Sequence, residues 1–392
     1  MMHESSAVRS LSDMAISEFT KHFGQEPSVV AQAPGRINLI GEHVDYTGGR
    51  VLPMAINKWI IAALRPCTGS YSRIYSSNIE TEHIFDACSP STRIVEGNAA
   101  FANHALGVLE GLRRIQPVTD QYEILIVGDI PIGAGLSSSA ALEVSLVRAW
   151  ASVMDLDVDD ITAAHIAMNA EHDFVGTPCG IMDMLISAAA HEKSAMLIDC
   201  RNLGMEYIDL PPESILEWTV VNTGISHTLA SSEYSLRRKS CSEAEKTLGM
   251  PLRDATTNDV KTKIQNETDQ KRALHVVQEN LRVIQAVAAL RTGDLEAFGE
   301  CMYEGHTSLR ELYEVTIPEH DLIVRSSYAM RKDGVYGARM TGGGFGGSVI
   351  VAHAPTVRGA LVHTINTEFI KHTGRIPDVY HVHSAHGAGI IS

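Results

Sequence analysis

PIGAGLSSSAA, residues 131–141, stands between a short apolar β-branched run, YEILIV at 122–127, and a stretch from 140 to 154 that sets Leu142, Leu146, Ala149, Trp150 and Val153 on one helical face. The order strand, glycine loop, helix places the glycines at a helix entry. There the N–H groups of the first turn lack intrahelical partners and the positive dipole end favours an anion. Gly133 and Gly135 let the main chain come close to it, and three serines add hydroxyls for phosphate oxygens or a magnesium ion. A Walker loop would close on Gly-Lys-Ser/Thr, and no lysine is present. The segment Gly133, Ala134, Gly135, Leu136, Ser137, Ser138, Ser139 therefore reads as a different phosphate cradle; its length and serine triplet argue against a simple helix cap.

Outward from this loop, residues 11–23 carry helical periodicity and 28–33 read as a strand entering Pro34-Gly35. Strand character resumes over 51–64 around a break at Pro53, and 99–115 is helical. Asp159-Asp160 can cap a helix running to about Phe174, and another follows at 181–190. DLPPE at 209–213 is a plausible domain connection. Beyond it come a strand at 218–222, a helix at 227–248, a polar linker at 250–270, a long helix at 271–290 and an αβ pattern with a strand at 348–352. Strands and helices do not alternate evenly, so the class is α+β.

With 392 residues the chain exceeds the size of one growing core, so two domains are expected, 1–212 and 213–392. A formal charge of −15, from 32 Lys+Arg against 47 Asp+Glu, repels nucleic acid and anionic membranes. Any anionic ligand must then be held by local groups. Six scattered cysteines without a Cys-x-x-Cys pair suit a reducing, cytoplasmic setting. No apolar run has the length of a membrane span.

Two further loops carry chemistry. APGRINLIGEHVDYTGG, 33–49, sets Arg36, Glu42, His43 and Asp45 between glycines, and its carboxylates could accept hydrogen bonds from a polyhydroxylated ligand. MTGGGFGGS, 340–348, holds five glycines around Phe345, a cost that makes sense only where a ligand or another main chain comes close.

Together with CGIMD at 179–183 and SSEY at 231–234, these loops resemble, in family order, the motifs of the GHMP small-molecule kinases. GRINLIGEHVDYTGG matches the branch that phosphorylates galactose, and the resemblance runs from about residue 12 to near the end. It implies a two-domain GHMP kinase fold: an N-terminal domain like ribosomal protein S5 domain 2, a ferredoxin-like C-terminal domain, and an active site in the cleft between them. It implies transfer of the γ-phosphoryl group of ATP to the anomeric hydroxyl of D-galactose by a monomer. By motif, Asp183 is the catalytic base and Arg36 stabilises the transition state. Glu42, His43, Val44, Asp45 and Tyr234 contact sugar, 133–139 hold the ATP phosphates, and Ser139 and Glu171 bind Mg2+.

Two positions depart from that branch: Val44 stands for threonine and Met184 for glutamine. A thioether beside the base barely hydrogen bonds, so sugar choice could differ. The rivals are a sibling kinase for N-acetylgalactosamine or another hexose, and a catalytically silent sugar sensor. A dinucleotide-binding dehydrogenase lacks its Gly-x-Gly-x-x-Gly. Other features read as structural: His381, His383 and His386 lack acidic partners for a metal, Arg237, Arg238 and Lys239 suit a solvated helix face, and Cys179 suits packing.

Overall fold

A computed structural model describes residues 6–225 and 230–391. The first half runs α1 (Ser6–Phe23), β1 (Val29–Asn38), β2 (Arg50–Val51), β3 (Pro53–Cys67), β4 (Ser72–Ser76), β5 (Thr81–Phe85), α2 (Ala102–Arg113), β6 (Gln121–Gly128), α3 (Ser138–Val153), α4 (Asp160–Ala170), α5 (Met182–Ala189), β7 (Ser194–Asp199) and β8 (Gly204–Asp209). The second half runs β9 (Glu217–Asn222), α6 (Ala230–Leu248), α7 (Thr257–Lys263), α8 (Glu267–Thr292), α9 (Leu295–Ser308), α10 (Pro318–Ala329), β10 (Val335–Thr341), β11 (Ser348–His353), α11 (Arg358–Thr373), β12 (Asp378–Val382) and β13 (Gly389–Ile390).

Six strands in the order β13-β1-β3-β6-β4-β5 form the first sheet, antiparallel except where β4 pairs parallel with β6. A parallel pair needs a crossover, and the segment containing α2 supplies it. Every residue of β1 is buried, and its register slips between Pro34 and Arg36, so the strand runs on through Pro34-Gly35 instead of stopping there. That slip absorbs the proline, which has no N–H for the ladder, and it presents Arg36 at the sheet's end.

In the second half the order β10-β11-β9-β12 is wholly antiparallel. Strands and intervening helices follow one another as β9, helices, β10, β11, α11, β12, the split βαββαβ pattern of a ferredoxin-like unit. One apolar cluster runs from α1, β1 and α3 through to Trp218, Leu309 and Ile350. A smaller one joins Leu322, Leu361 and Phe369 beneath α10 and α11.

The expected linker at 250–270 is ordered. Thr256 and Asp259 form a capping box that starts α7, Asn266 caps α8, and Leu252, Val260 and Ile264 are buried. Their polar neighbours are helix caps, which composition alone confuses with a linker. The helix from Asp160 is α-helical to Ala170 and continues as a π turn, Glu171–Val175, past the expected end at about Phe174. Residues 227–229 of the expected helix lie outside the described residues; α6 begins at Ala230. Among the described residues no helix is long and apolar enough to cross a membrane.

Candidate active site

Between β6 and α3 the glycine loop turns its carbonyls into the protein. Gly135 O accepts from Arg36 Nη1 at 2.7 Å, Leu136 O from Arg36 N at 3.1 Å, and Ala134 O from Ser348 Oγ at 2.7 Å. Gly133 (φ 75°) and Gly135 (φ 73°) take left-handed backbone, and so does Ser137 (φ 60°), which an L residue adopts only at a cost. Among the described residues, no backbone N–H from 135 to 140 donates to a protein acceptor. A row of free donors at a helix entry is an anion cradle.

The expected close approach of main chains also holds. A Cβ on Gly342 would lie 3.0 Å from Gly135 O, and one on Gly347 would lie 3.3 Å from Ala134 O, so the third glycine loop packs directly on the first. From the other side, a Cβ on Gly35 would sit 2.7 Å from Leu136 O.

Asp183 stands in the first turn of α5. Arg36 grips it through two bonds, Nε to Oδ1 at 2.8 Å and Nη2 to Oδ2 at 2.5 Å, while Ser137 Oγ donates to Oδ2 at 2.5 Å. One arginine thus ties the cradle to the carboxylate. The fork-on-fork geometry fixes the plane of Asp183, yet that side chain stays 27% exposed and lines a cavity of about 320 Å³ with Arg36, Glu42, His43, Asp45 and Tyr234.

His43 sits at φ 60° with its ring buried, and burial pulls its pKa down to about 3, so the ring is neutral. Its Nε2–H donates to Gly343 O at 3.1 Å, which leaves Nδ1 to accept from Tyr46 Oη at 3.1 Å. Tyr46 in turn accepts from Tyr313 Oη at 2.6 Å, and Cys241 Sγ stands 3.2 Å behind. The Tyr234 ring packs against His43 and Tyr46 with centroids 5.4 and 5.5 Å away. Burial and the nearby Asp183 push the Asp45 carboxyl up to about 6. Burial likewise raises Glu42 to about 7, against the pull of Arg339. Glu42 is largely engaged by the protein: Oε1 accepts from Gly342 N at 3.3 Å, and Arg339 Nη2 lies against Oε2.

Not every expected residue joins the pocket. Val44 is fully buried in the core and its side chain lines no part of the pocket; its carbonyl accepts from Thr47 and Gly49 instead. Met184, the other departure, is 2% exposed and also packs in the core, whereas its neighbours Met182 and Asp183 line the pocket. Glu171 opens the π turn, buried, and a carboxylate oxygen of it lies within 4.8 Å of a ring nitrogen of His104 and a carboxylate oxygen of Glu143, the one such group among the described residues. Ser139 lies in the first turn of α3, one helical turn before Glu143.

Sequence reasoning did not single out His104, Glu143, Gly180 or Thr177. Spacing held a signal for Glu143, four residues after Ser139 on one helix; His104 comes from α2 and no local pattern links it. A Cβ on Gly180 would fall 1.9 Å from Asp45 Oδ2, so any other residue there must displace that carboxylate. The expected solvated face on α6 is overturned for two of its three residues. Arg237 donates to Tyr313 O and Glu314 O, and Arg238 donates to Pro178 O, because the loops after α9 and before α5 close over that face. The three histidines near the C-terminus face different partners, Thr219, Glu213 and Gln32. Burial pushes the Cys179 thiol up, away from a reactive thiolate.

Three family models match the chain: "Galactokinase galactose-binding signature" over residues 17–66, "GHMP kinases N terminal domain" over 103–191, and "GHMP kinases C terminal" over 286–365. The chain is 37% identical over 380 residues to a galactokinase of Roseiflexus sp. (strain RS-1), covering 95% of each. It is 38% identical over 357 residues to that of Thermotoga petrophila, covering 91% of this chain and 98% of the relative. The Lactococcus lactis galactokinase complexed with galactose superposes with a TM-score of 0.89 at 29% identity, over 98% of this chain and all of that one. A mevalonate kinase shares the fold at TM-score 0.64 and 17% identity, covering 91% of this chain and 99% of its own.

Proposed function

The chain belongs to the galactokinase family, a branch of the GHMP kinases, and on that premise we propose which residues perform its reaction. It transfers the γ-phosphoryl group of ATP to the anomeric hydroxyl of D-galactose, giving galactose 1-phosphate. In our reading residues 133–139 hold the phosphates, the turn at Glu42, His43 and Asp45 holds the sugar with Tyr234 as one wall, and Asp183 takes the proton of the attacking hydroxyl. The observation that carries this reading is Arg36, bonded at once to the cradle carbonyl of Gly135 and to both oxygens of Asp183.

Phosphoryl transfer passes through a loose transition state in which alignment and charge neutralisation dominate. Arg36 supplies both: it fixes the plane of Asp183 beside the pocket and brings a cation to where charge accumulates. Tyr46 and Tyr313 keep His43 in one tautomer, so the ring meets the sugar in a fixed orientation. Val44 acts in our reading only through the shape of the turn that its carbonyl closes.

Ser139 and Glu171 are the proposed holders of Mg2+. The fit is supported by the buried Glu171 beside Glu143, whose Oε2 has no partner among the described residues, since two neighbouring carboxylates favour a cation. Held there by Ser139 and Glu171, the ion would supply positive charge to neutralise the phosphates. We further propose domains 1–212 and 213–392, with the last strand returning to the first sheet, and a monomer working in the cytoplasm; a pocket completed by one chain supports the monomer.

Phosphorus NMR of the protein with Mg-ATP and galactose tests the substrate. The expected product is galactose 1-phosphate; turnover of N-acetylgalactosamine or another hexose with none of galactose would reassign the enzyme.

A further inference from the structure

A second cavity, of about 860 Å³, lies among α8, α9 and α10, and none of its walls belongs to the sugar pocket. Arg282 lines it with a side chain only 9% exposed. Its Nε donates to Glu279 Oε2 at 2.8 Å, and among the described residues its buried Nη2 finds no acceptor. Tyr303, in the same wall and 6% exposed, has an Oη without a partner among the described residues. Burying such donors without acceptors is unfavourable, because each loses its hydrogen bond to water.

Most acids around the cavity are already engaged. Glu300 pairs with Arg331 at 3.3 Å, Glu311 with Arg310 at 2.8 Å, and Asp321 with His306 at 3.1 Å. Arg325, exposed at the rim, has no ion pair among the described residues; Glu304 is the one acid of the lining left without one. The unmet demand is therefore for acceptors, and a planar guanidinium edge matches a carboxylate or phosphate.

This cavity touches the sugar turn through buried contacts. Glu279, held by Arg282, accepts from Gly41 N at 2.9 Å and stands 3.1 Å from Arg339 Nη2, and Arg339 in turn lies against Glu42. A second link runs from Ser308 in the cavity wall to His275 Nδ1 at 2.8 Å, whose Nε2 donates to Glu42 O at 3.1 Å. Glu42 lines the sugar pocket.

We propose that this cavity is an effector site for a small hydroxylated anion whose carboxylate or phosphate sits on Arg282 and Arg325, and that its occupancy tightens sugar binding. An anion shares the charge of Arg282, so Glu279 draws Arg339 more strongly and frees Glu42 for a sugar hydroxyl. Linkage then requires the sugar to tighten the anion equally.

The test uses the full chain with the phosphate cradle filled by Mg2+ and a non-hydrolysable ATP analogue. Inorganic phosphate and malonate are titrated by calorimetry, a readout independent of turnover and so of the sugar assignment. The expected result is one molecule of at least one probe per chain, weakened about five- to tenfold in Arg325→Gln and Tyr303→Phe. Both variants keep wild-type kcat without probe. Saturating probe lowers galactose KM at least about twofold. Arg282→Gln abolishes binding if it folds; the two other variants decide the matter if it does not. No binding of either probe at tens of millimolar, equal binding by both variants, or an unchanged or raised KM would overturn the proposal.

Discussion

Asp183 receives three hydrogen bonds from Arg36 and Ser137, and Asp183→Asn keeps the side-chain volume while it removes the proton acceptor and turns one amide N–H2 toward those donors. We expect kcat to fall by about 10²- to 10⁴-fold with thermal stability kept, and steady-state kinetics showing a change within about threefold would exclude it as the base. Asp45 gives a pH signature. Its folded pKa of about 6 exceeds the ordinary 3.8, so the folded state holds the proton more tightly. Its contribution to stability is therefore lost as pH rises from about 4 to about 6 and is constant above. Because the ionised form is the better acceptor for a sugar hydroxyl, galactose KM should rise as pH falls below about 6, and Asp45→Asn should flatten both profiles. A KM profile in Asp45→Asn as steep as wild type would assign the titration elsewhere. Arg36 and Asp45 stand out in the sequence as polar side chains crowded between glycines, whereas Asp183 is picked out only by the resemblance of its CGIMD segment. The core positions of Val44 and Met184 are not legible in this way. Their burial is decided by elements far away in the chain, which no local pattern records.

At the scale of elements, close approach explains residues whose chemistry says nothing. The Gly180 Cα faces Asp45, and Gly180→Ala forces that carboxylate aside. The expected outcome is a galactose KM raised about tenfold or more with kcat and melting temperature little changed; an unaltered KM would mean that Asp45 does not touch sugar. In α9 a Cβ on Gly299 would stand 1.9 Å from Tyr336 O, a backbone atom of β10 that cannot swing away. Gly299→Ala should cost about 1–3 kcal/mol in denaturant unfolding. Helix periodicity foretold α1, α3 and α5 closely, whereas the caps of α7 and α8 passed for a linker. Thr, Asn and Asp serve turns and helix starts alike, and the buried Val260 and Ile264 that separate the two cases reveal themselves only in packing.

Across the whole molecule, the two halves share one apolar cluster, and the chain end closes the first sheet. β13 pairs with β1 at Ala31 and Gln32, Ile391 N donates to Val30 O, and the His386 ring packs 4.9 Å from Trp59. Deleting residues 386–392 should lower the melting temperature by several degrees and reduce activity, since β1 carries Arg36; a truncated protein as stable and active as the full chain would show the strand to be ornamental. Pairing between segments some 350 residues apart leaves no trace in local sequence, which is why the two expected domains looked simpler than they are. The central claim is that one cleft aligns both substrates on Arg36 and Asp183. A crystal structure with galactose and a non-hydrolysable ATP analogue measures it directly. The anomeric oxygen is expected about 3–3.5 Å from the γ-phosphorus and within hydrogen-bond reach of Asp183; galactose bound away from Asp45 and Asp183, or phosphates lying off residues 133–139, would rule this alignment out.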